Sequence, residues 1–524
     1  MKQQKASGTP GVSGPENPGV CFPNLPGYSN PTGNEYPIIA YNNYMFPKMS
    51  LTTEAEIQKV LQSIKLCGFN ATIWNCGGYA SRWWKLYDRY YQVAQSLGLP
   101  TVLNISGMMP VKQSPSSEKD EYSPTLNELS EILNLNINNA NLWGFLMMEN
   151  PKYINWAYST SAPPSGDVDL WKAYLAYVRD PNGHIAVIDL SVSNNTDIIG
   201  DSSSTVHVTE KNKYLRYLKA IKDKFCSNML AVNISPVVVN SPSIENGTEY
   251  SIKKDYYYSI EAIGQFSKLY SLPFWMFMLS NQHTRYEYNA DGSFARKVEY
   301  PFPSVGILRF QAMTALAFGI KGLVFQSYCM CPDEYVEKNT DSTESEFKCG
   351  DESSCLFMFE GESSYESNRT PLLYYQYASY VDDMPTEIWN NCQIVIPEIK
   401  QIGNLLLGST FQEAQHVYGP LQTSKFDETT EFSSGIGCIS DARASGMGFV
   451  ITRLKKGADT YMAIVSHDPV NEQDITLVIS TDFQEVVADT QADATVKFSS
   501  VNKASAAQTI TRKLKPGGMI LLRY

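Results

Sequence analysis

Residues 142–151 read LWGFLMMENP, a run of apolar side chains broken only by Gly144 and ending abruptly in a glutamate, an asparagine and a proline. A strand with one wet face alternates apolar and polar residues, and this one does not. It therefore reads as a strand covered on both faces, the habit of a parallel sheet flanked by helices. Seven further runs have the same texture: 37–46 (PIIAYNNYMF), 70–78 (NATIWNCGG), 99–107 (LPTVLNISG), 184–192 (HIAVIDLSV), 229–239 (MLAVNISPVVV), 272–280 (LPFWMFMLS) and 321–330 (KGLVFQSYCM). Each is of strand length.

Between the runs lie helical patterns. Residues 52–68 (TTEAEIQKVLQSIKLCG) carry a threonine cap, with Leu61, Ile64 and Leu66 expected on one face, and 81–98 (SRWWKLYDRYYQVAQSLG) end in a glycine stop. Residues 126–136, 169–180, 210–225, 258–270 and 304–319 repeat the role. Strand and helix alternating eight times predicts an α/β fold of the (β/α)8 TIM-barrel kind. An open doubly wound sheet is the rival, but a glycine-rich phosphate turn after its first strand is missing from YNNYMFPK (41–48).

The eighth run is followed by an acidic, serine-rich, cysteine-containing insertion, 329–370, and then by a long helix expected from about Pro371 to Leu407. From Gln412 the texture becomes alternating, as in 446–457 (GMGFVITRLKKG) and 460–469 (TYMAIVSHDP), which predicts a small C-terminal β-sandwich domain. The expected organisation is thus a linker-like segment 1–34, a barrel 35–411 and a β-sandwich 412–524.

The chain has 524 residues, 43% apolar and 18% charged, with 33 Tyr, 22 Phe and 8 Trp, a globular composition rich in aromatics. Net charge is -12 and no Lys/Arg cluster is long enough to track a phosphate backbone, which argues against nucleic acid as a partner. No apolar run approaches the ~20 residues of a membrane helix, so no transmembrane segment is expected. The Gly/Pro/Ser-rich opening resembles a linker, and an extracytoplasmic location, periplasmic or cell-surface, is expected if a secretion signal preceded it.

Ten cysteines are too few for a disulfide-built fold of this size, and the C-x-C and C-x5-C spacings of Cys329, Cys331, Cys349 and Cys355 match no standard zinc arrangement. The five histidines, His184, His207, His283, His416 and His467, are dispersed, so no metal site is expected. No GxSxG elbow is present either. What remains is chemistry by paired carboxylates, which needs no cofactor.

In barrels of this kind the chemistry sits where strands exit at their carboxyl ends, so the closing residues of each run are the informative ones. Read so, the rim offers Tyr41, Asn42 and Asn43; Trp74 and Asn75; Asn104; Glu149 and Asn150; Asp189; Asn233; Trp275, Asn281, Gln282 and His283; and Gln326, Ser327 and Tyr328. Aromatic faces stack on sugar C–H faces, and amides both donate to and accept from hydroxyls, so the set suits a neutral carbohydrate. Any single amide there can equally serve only to close a loop. The expected substrate-binding residues are Trp74, Asn75, Asn104, Asn150, Asn233, Trp275, Asn281, Gln282, His283, Gln326 and Tyr328.

The stretches 68–78 (GFNATIWNCGG), 143–151 (WGFLMMENP), 272–283 (LPFWMFMLSNQH), 308–328 (LRFQAMTALAFGIKGLVFQSY) and 373–409 together resemble the glycoside hydrolase barrels, especially the β-galactosidase-like (family 42-like) proteins of gut Bacteroidetes. The resemblance spans residues 35 to 420. It implies an acid/base closing strand four and a nucleophile closing strand seven. The chain departs from that pattern twice. Where relatives end strand four in Asp-Glu-Pro it has Glu149-Asn150-Pro151, and at strand seven it offers Ser280, Asn281, Gln282 and His283, none of which is a carboxylate. Glu149 is therefore expected as general acid, with Asp189 or Glu287 as the second carboxylate and Glu299 a further candidate. Two activities stay open: a glycosidase acting on an oligosaccharide or polysaccharide, or a degenerate glycan-binding or surface-scaffold protein on the same fold.

Overall fold

The computed structural model describes residues 33, 35–42, 54–75, 87–104, 141–149, 184–190, 214–215, 217–219, 221–222, 229–239, 250–253, 256–280, 283–288, 294–326, 328, 387–421, 436–480, 483–487, 498–500 and 507–523. In chain order these form β1 (Ile38–Asn42), α1 (Glu54–Cys67), β2 (Ala71–Asn75), α2 (Tyr87–Ser96), β3 (Thr101–Asn104), β4 (Leu142–Glu149), β5 (Ile185–Leu190) and β6 (Met229–Asn233). A hairpin of β7 (Val237–Val239) and β8 (Tyr250–Ile252) precedes α3 (Tyr256–Tyr270) and β9 (Phe274–Met278). A second hairpin, β10 (His283–Tyr288) and β11 (Phe294–Tyr300), leads to α4 (Val305–Ala317), β12 (Gly322–Phe325) and α5 (Glu387–Leu406). The insertion 329–370, the start of the helix expected from Pro371, and the helices expected at 126–136 and 169–180 lie outside the described residues.

The eight expected runs form one closed parallel barrel in the order β1-β2-β3-β4-β5-β6-β9-β12, with β12 pairing back onto β1. Its interior is filled by alternate residues of the strands: Ile39 and Tyr41, Ala71 and Ile73, Ile185 and Val187, Met229 and Ala231, Trp275 and Phe277. The intervening residues face outward and meet the helices, which is why the runs are continuously apolar.

Helices return the chain to the next strand through left-handed caps. After α2 and α4 the reversals fall on Gly98 (φ 64°) and Gly319 (φ 80°), each followed by an amide reaching back to the last turn, Leu99 N to Ala94 O at 2.9 Å and Ile320 N to Ala315 O at 3.1 Å. In α1 the buried stripe is Ile57, Val60, Leu61, Ile64 and Cys67. Leu66, expected on that stripe, is 72% exposed, because two residues beyond Ile64 is ~200° around a helix.

The C-terminal region is a two-layer sandwich. β13 (Thr410–Tyr418), β14 (Ile439–Ala444), β15 (Gly448–Lys456), β16 (Asp459–Ser466), β17 (Gln473–Ile479), β18 (Gln484–Val487), β19 (Phe498–Ser500), β20 (Gln508–Leu514) and β21 (Met519–Arg523) make a six-stranded sheet, β13-β15-β16-β21-β18-β19, and a three-stranded one, β14-β17-β20. One apolar core joins them, with Phe449, Ile451, Ile464 and Leu522 from the first meeting Ile475, Leu477 and Ile510 from the second.

This sandwich packs along α3 and α4 of the barrel. Phe411 stacks obliquely on Phe318, with ring centroids 5.2 Å apart, and Thr452 Oγ1 donates to Ala317 O at 2.7 Å. Arg309 of α4 grips both carboxylate oxygens of Glu398 on α5, at 2.7 and 2.9 Å, and also donates to Pro516 O in the sandwich. Both charges are buried, and losing one partner of such a pair costs about 3–5 kcal/mol. Among the described residues no helix is long and apolar enough to cross a membrane.

Candidate active site

The carboxyl edge of the barrel is set by strand parity, and parity sorts the expected rim residues. On β3, Val102 lies in the barrel interior, so Asn104 two residues on faces the same way; it is 2% exposed, and its Nδ2 donates to Tyr41 Oη at 2.5 Å. Tyr41 meets Phe277 edge-on, centroids 5.7 Å apart, which closes the floor beneath the pair. Asp189 follows Ile185 and Val187 on the inner face of β5 and is 3% exposed. Asn233 continues the inner parity of Met229 and Ala231, and Gln326 that of Val324; both are half-buried. The backbone of Asn75 lies opposite Asn104 across the β2–β3 ladder.

The position of Glu149 depends on an irregularity in β4. Leu146 lies opposite Val187, but the next pair is Met148 with Ile188, so Met147 is an extra residue in the ladder. In a regular ladder Met148 would stand opposite Asp189. The bulge advances the register by one, and Glu149 stands there instead. Two acidic residues thus close neighbouring strands side by side, with backbones one interstrand spacing, ~4.8 Å, apart.

Three expected ligands lie in packed positions, one by strand parity, one by depth in the barrel and one by its hydrogen bonds behind the rim. Trp74 falls on the outer face of β2, 5% exposed, with its ring 3.7 Å from that of Tyr90 on α2, and so belongs to the barrel–helix layer. Trp275 does face inward, but as the second residue of β9 it is fully buried deep in the barrel, 4.9 Å from Trp143 and level with Gly322 at the start of β12. Tyr328 turns outward behind the rim, where its hydroxyl meets Ser63 Oγ at 2.8 Å and receives Trp389 Nε1 at 3.1 Å. All three are packing residues.

Elsewhere the expected site falls on or beyond the rim hairpins. His283 opens β10 opposite Tyr300, and Glu287 pairs with Ala295 near the far end of the same hairpin, with Glu299 on the returning β11. Asn150, Asn281 and Gln282 lie outside the described residues.

One residue went unnamed at the sequence level: Gln311, fully buried in α4. Its Oε1 accepts from Leu279 N at 2.9 Å and its Nε2 donates to Leu279 O at 3.0 Å, so a side chain takes over the backbone pairing where strand β9 ends. Beside it Ser280 is fully buried and its hydroxyl donates to Gln326 O. The available signal was a lone amide in the apolar helix ILRFQAMTALA (307–317), since a buried amide needs partners. Among the described residues no group of three or more His, Cys, Asp or Glu could hold a metal ion. Cys67 and Cys392 are buried, and Cys67 Sγ donates to Trp389 O at 3.6 Å.

No protein-family model matches the sequence, and no curated protein matches it. Solved structures resemble it in chain path. A catalytic mutant of a GH42 β-galactosidase from G. stearothermophilus aligns over 94% of this chain and 98% of its own at 9% identity and a TM-score of 0.49. A cold-adapted β-galactosidase from Rahnella sp. aligns over 93% and 98% at 9% identity and 0.45, and a glycoside hydrolase family 5 protein from Bacteroides vulgatus over 93% and 89% at 9% identity and 0.44. All three TM-scores lie below 0.5, so their activities are not carried over to this chain.

Proposed function

We propose that the chain is a glycosidase that works on an oligosaccharide or polysaccharide at the carboxyl edge of its barrel, with Glu149 as general acid and Asp189 as the second carboxylate. The observation that carries the reading is the register of β4 against β5, in which the bulge at Met147 brings Glu149 opposite Asp189. Two carboxyl groups ~5–5.5 Å apart serve a retaining mechanism and ~6.5–9.5 Å an inverting one. Neighbouring strands favour the shorter range. The amide and phenol groups around them, Asn104, Tyr41, Asn233 and Gln326, supply the donors and acceptors that sugar hydroxyls require.

The chemistry would run as follows. The carboxylic acid of Glu149 gives its proton to the glycosidic oxygen as the bond to the anomeric carbon breaks. Asp189 stabilises the positive charge developing there, or attacks it, and water then completes hydrolysis.

A second reading, glycan binding without cleavage, is favoured by the exit of β9. There Ser280 and the Gln311 clamp occupy the strand end at which related barrels carry the nucleophile, and hydrogen bonds already engage both. Release of reducing ends from a panel of aryl glycosides and polysaccharides separates the two. Glycosidase action predicts turnover that falls about 10²–10⁴-fold in Glu149→Gln while the thermal midpoint holds. Saturable binding with no product at any protein concentration would establish the second reading instead.

A further inference from the structure

The sandwich reaches the barrel mouth through the two rim hairpins. Tyr250, on β8 of the hairpin after β6, is 5% exposed and donates its hydroxyl to Asp468 Oδ1 of the sandwich at 2.5 Å. Asp468 is 2% exposed and held in place, its Oδ1 also accepting from Val470 N at 2.9 Å and Asn471 N at 2.8 Å, and its Oδ2 from Asn471 Nδ2 at 3.2 Å. A buried phenol on an anchored carboxylate is a charge-assisted bond, roughly twice as strong as a neutral one. Just past β8, Lys253 N donates to Pro236 O at 2.7 Å, closing the base of this hairpin. The Lys253 ammonium donates to Tyr300 Oη at 2.7 Å and lies 4.7 Å from the centre of the Tyr300 ring. Tyr300 is the β11 residue paired with His283, the first residue of the hairpin that follows β9.

From this chain of contacts we infer that the sandwich is a positioning domain for the barrel mouth. Asp468 fixes the first rim hairpin through Tyr250, and Lys253 passes that constraint to the base of the second through Tyr300. The hairpin so held is the one that follows β9 and carries Glu287. Tyr250, Asp468 and Lys253 are positioning residues; none of them is placed at the reacting atoms. The consequence for catalysis rests on the glycosidase reading, whereas the mechanical relay does not.

Hydrogen exchange of the full chain, read in peptides covering 237–252 and 283–300, tests the relay with Tyr250→Phe and Lys253→Met. Tyr250→Phe is expected to speed exchange in both peptides about tenfold. Lys253→Met is expected to speed exchange in 283–300 and to leave 237–252 unchanged. A Tyr250→Phe effect confined to 237–252, or a Lys253→Met variant that folds with 283–300 unaltered, overturns the inference. If Tyr250→Phe fails to fold, Lys253→Met, on a half-exposed side chain, decides alone. Where wild-type turnover is found, both variants should lower kcat more than they raise KM. Absence of wild-type turnover refutes the glycosidase reading while the exchange result still judges the relay.

Discussion

At the scale of single residues, the face on which a strand residue lies matters more than its nearness to the strand end. Trp74 and Asn75 are neighbours at the exit of β2, yet Trp74 packs against Tyr90 outside the barrel. Trp74→Ala is therefore expected to destabilise the protein by about 3–5 kcal/mol in denaturant unfolding, as large-to-small core substitutions do, while glycan affinity per folded molecule stays unchanged. Lost affinity at unchanged stability would return Trp74 to the cleft. The rim amides were legible because they interrupt apolar runs; the roles of Tyr328 and Trp275 were not, because an aromatic at a strand end looks the same whether it stacks on a ligand or on a helix. Gln311 was overlooked for a related reason. Its value lies in reaching Leu279 across the fold, and no local pattern announces a contact 32 residues away.

Among elements, the strands were the most legible part of the fold, since burial on both faces leaves a continuous apolar signature over each of the eight runs. The bulge in β4 was invisible. FLMME (145–149) reads identically whether or not Met147 pairs with its neighbour, and only the β5 ladder reveals that it does not. Deleting Met147 should restore a regular ladder and leave Met148 opposite Ile188 and Glu149 opposite Asp189. The expected outcome is turnover retained, in contrast to its loss in Glu149→Gln, with far-UV circular dichroism showing the barrel intact. A deletion variant that folds with turnover as low as Glu149→Gln would show that the pairing of Glu149 with Asp189 is not what carries the activity.

For the whole molecule, the junction of barrel and sandwich carries a pH dependence. His416 Nδ1 and His467 Nε2 are 3.2 Å apart, enclosed by Tyr257 of α3 and Tyr418 of β13, with ring centroids 4.8 Å from His416 to Tyr257 and 6.0 Å from His467 to Tyr418. Burial pushes His416 down to about 3 and His467 well below the ordinary histidine value. Both are therefore neutral in the folded chain, while the unfolded chain takes up protons below pH ~6.5, so stability is fully present above that pH and is lost as pH falls toward the folded values. By pH 5 the loss should reach about 2 kcal/mol per histidine, visible as a falling denaturation midpoint between pH 7.5 and 5 that flattens in a His416→Gln, His467→Gln double variant. An equally steep acid limb in that variant would place the titration elsewhere. The same architecture, barrel and sandwich joined beside α4, exists on this account to present one pair of acids at the mouth. The most direct test is the Glu149–Asp189 carboxyl separation in a crystal structure with a sugar bound: a separation of about 5–6 Å across the bound glycosidic oxygen is the predicted result, and one beyond ~9.5 Å would contradict the paired-carboxylate account.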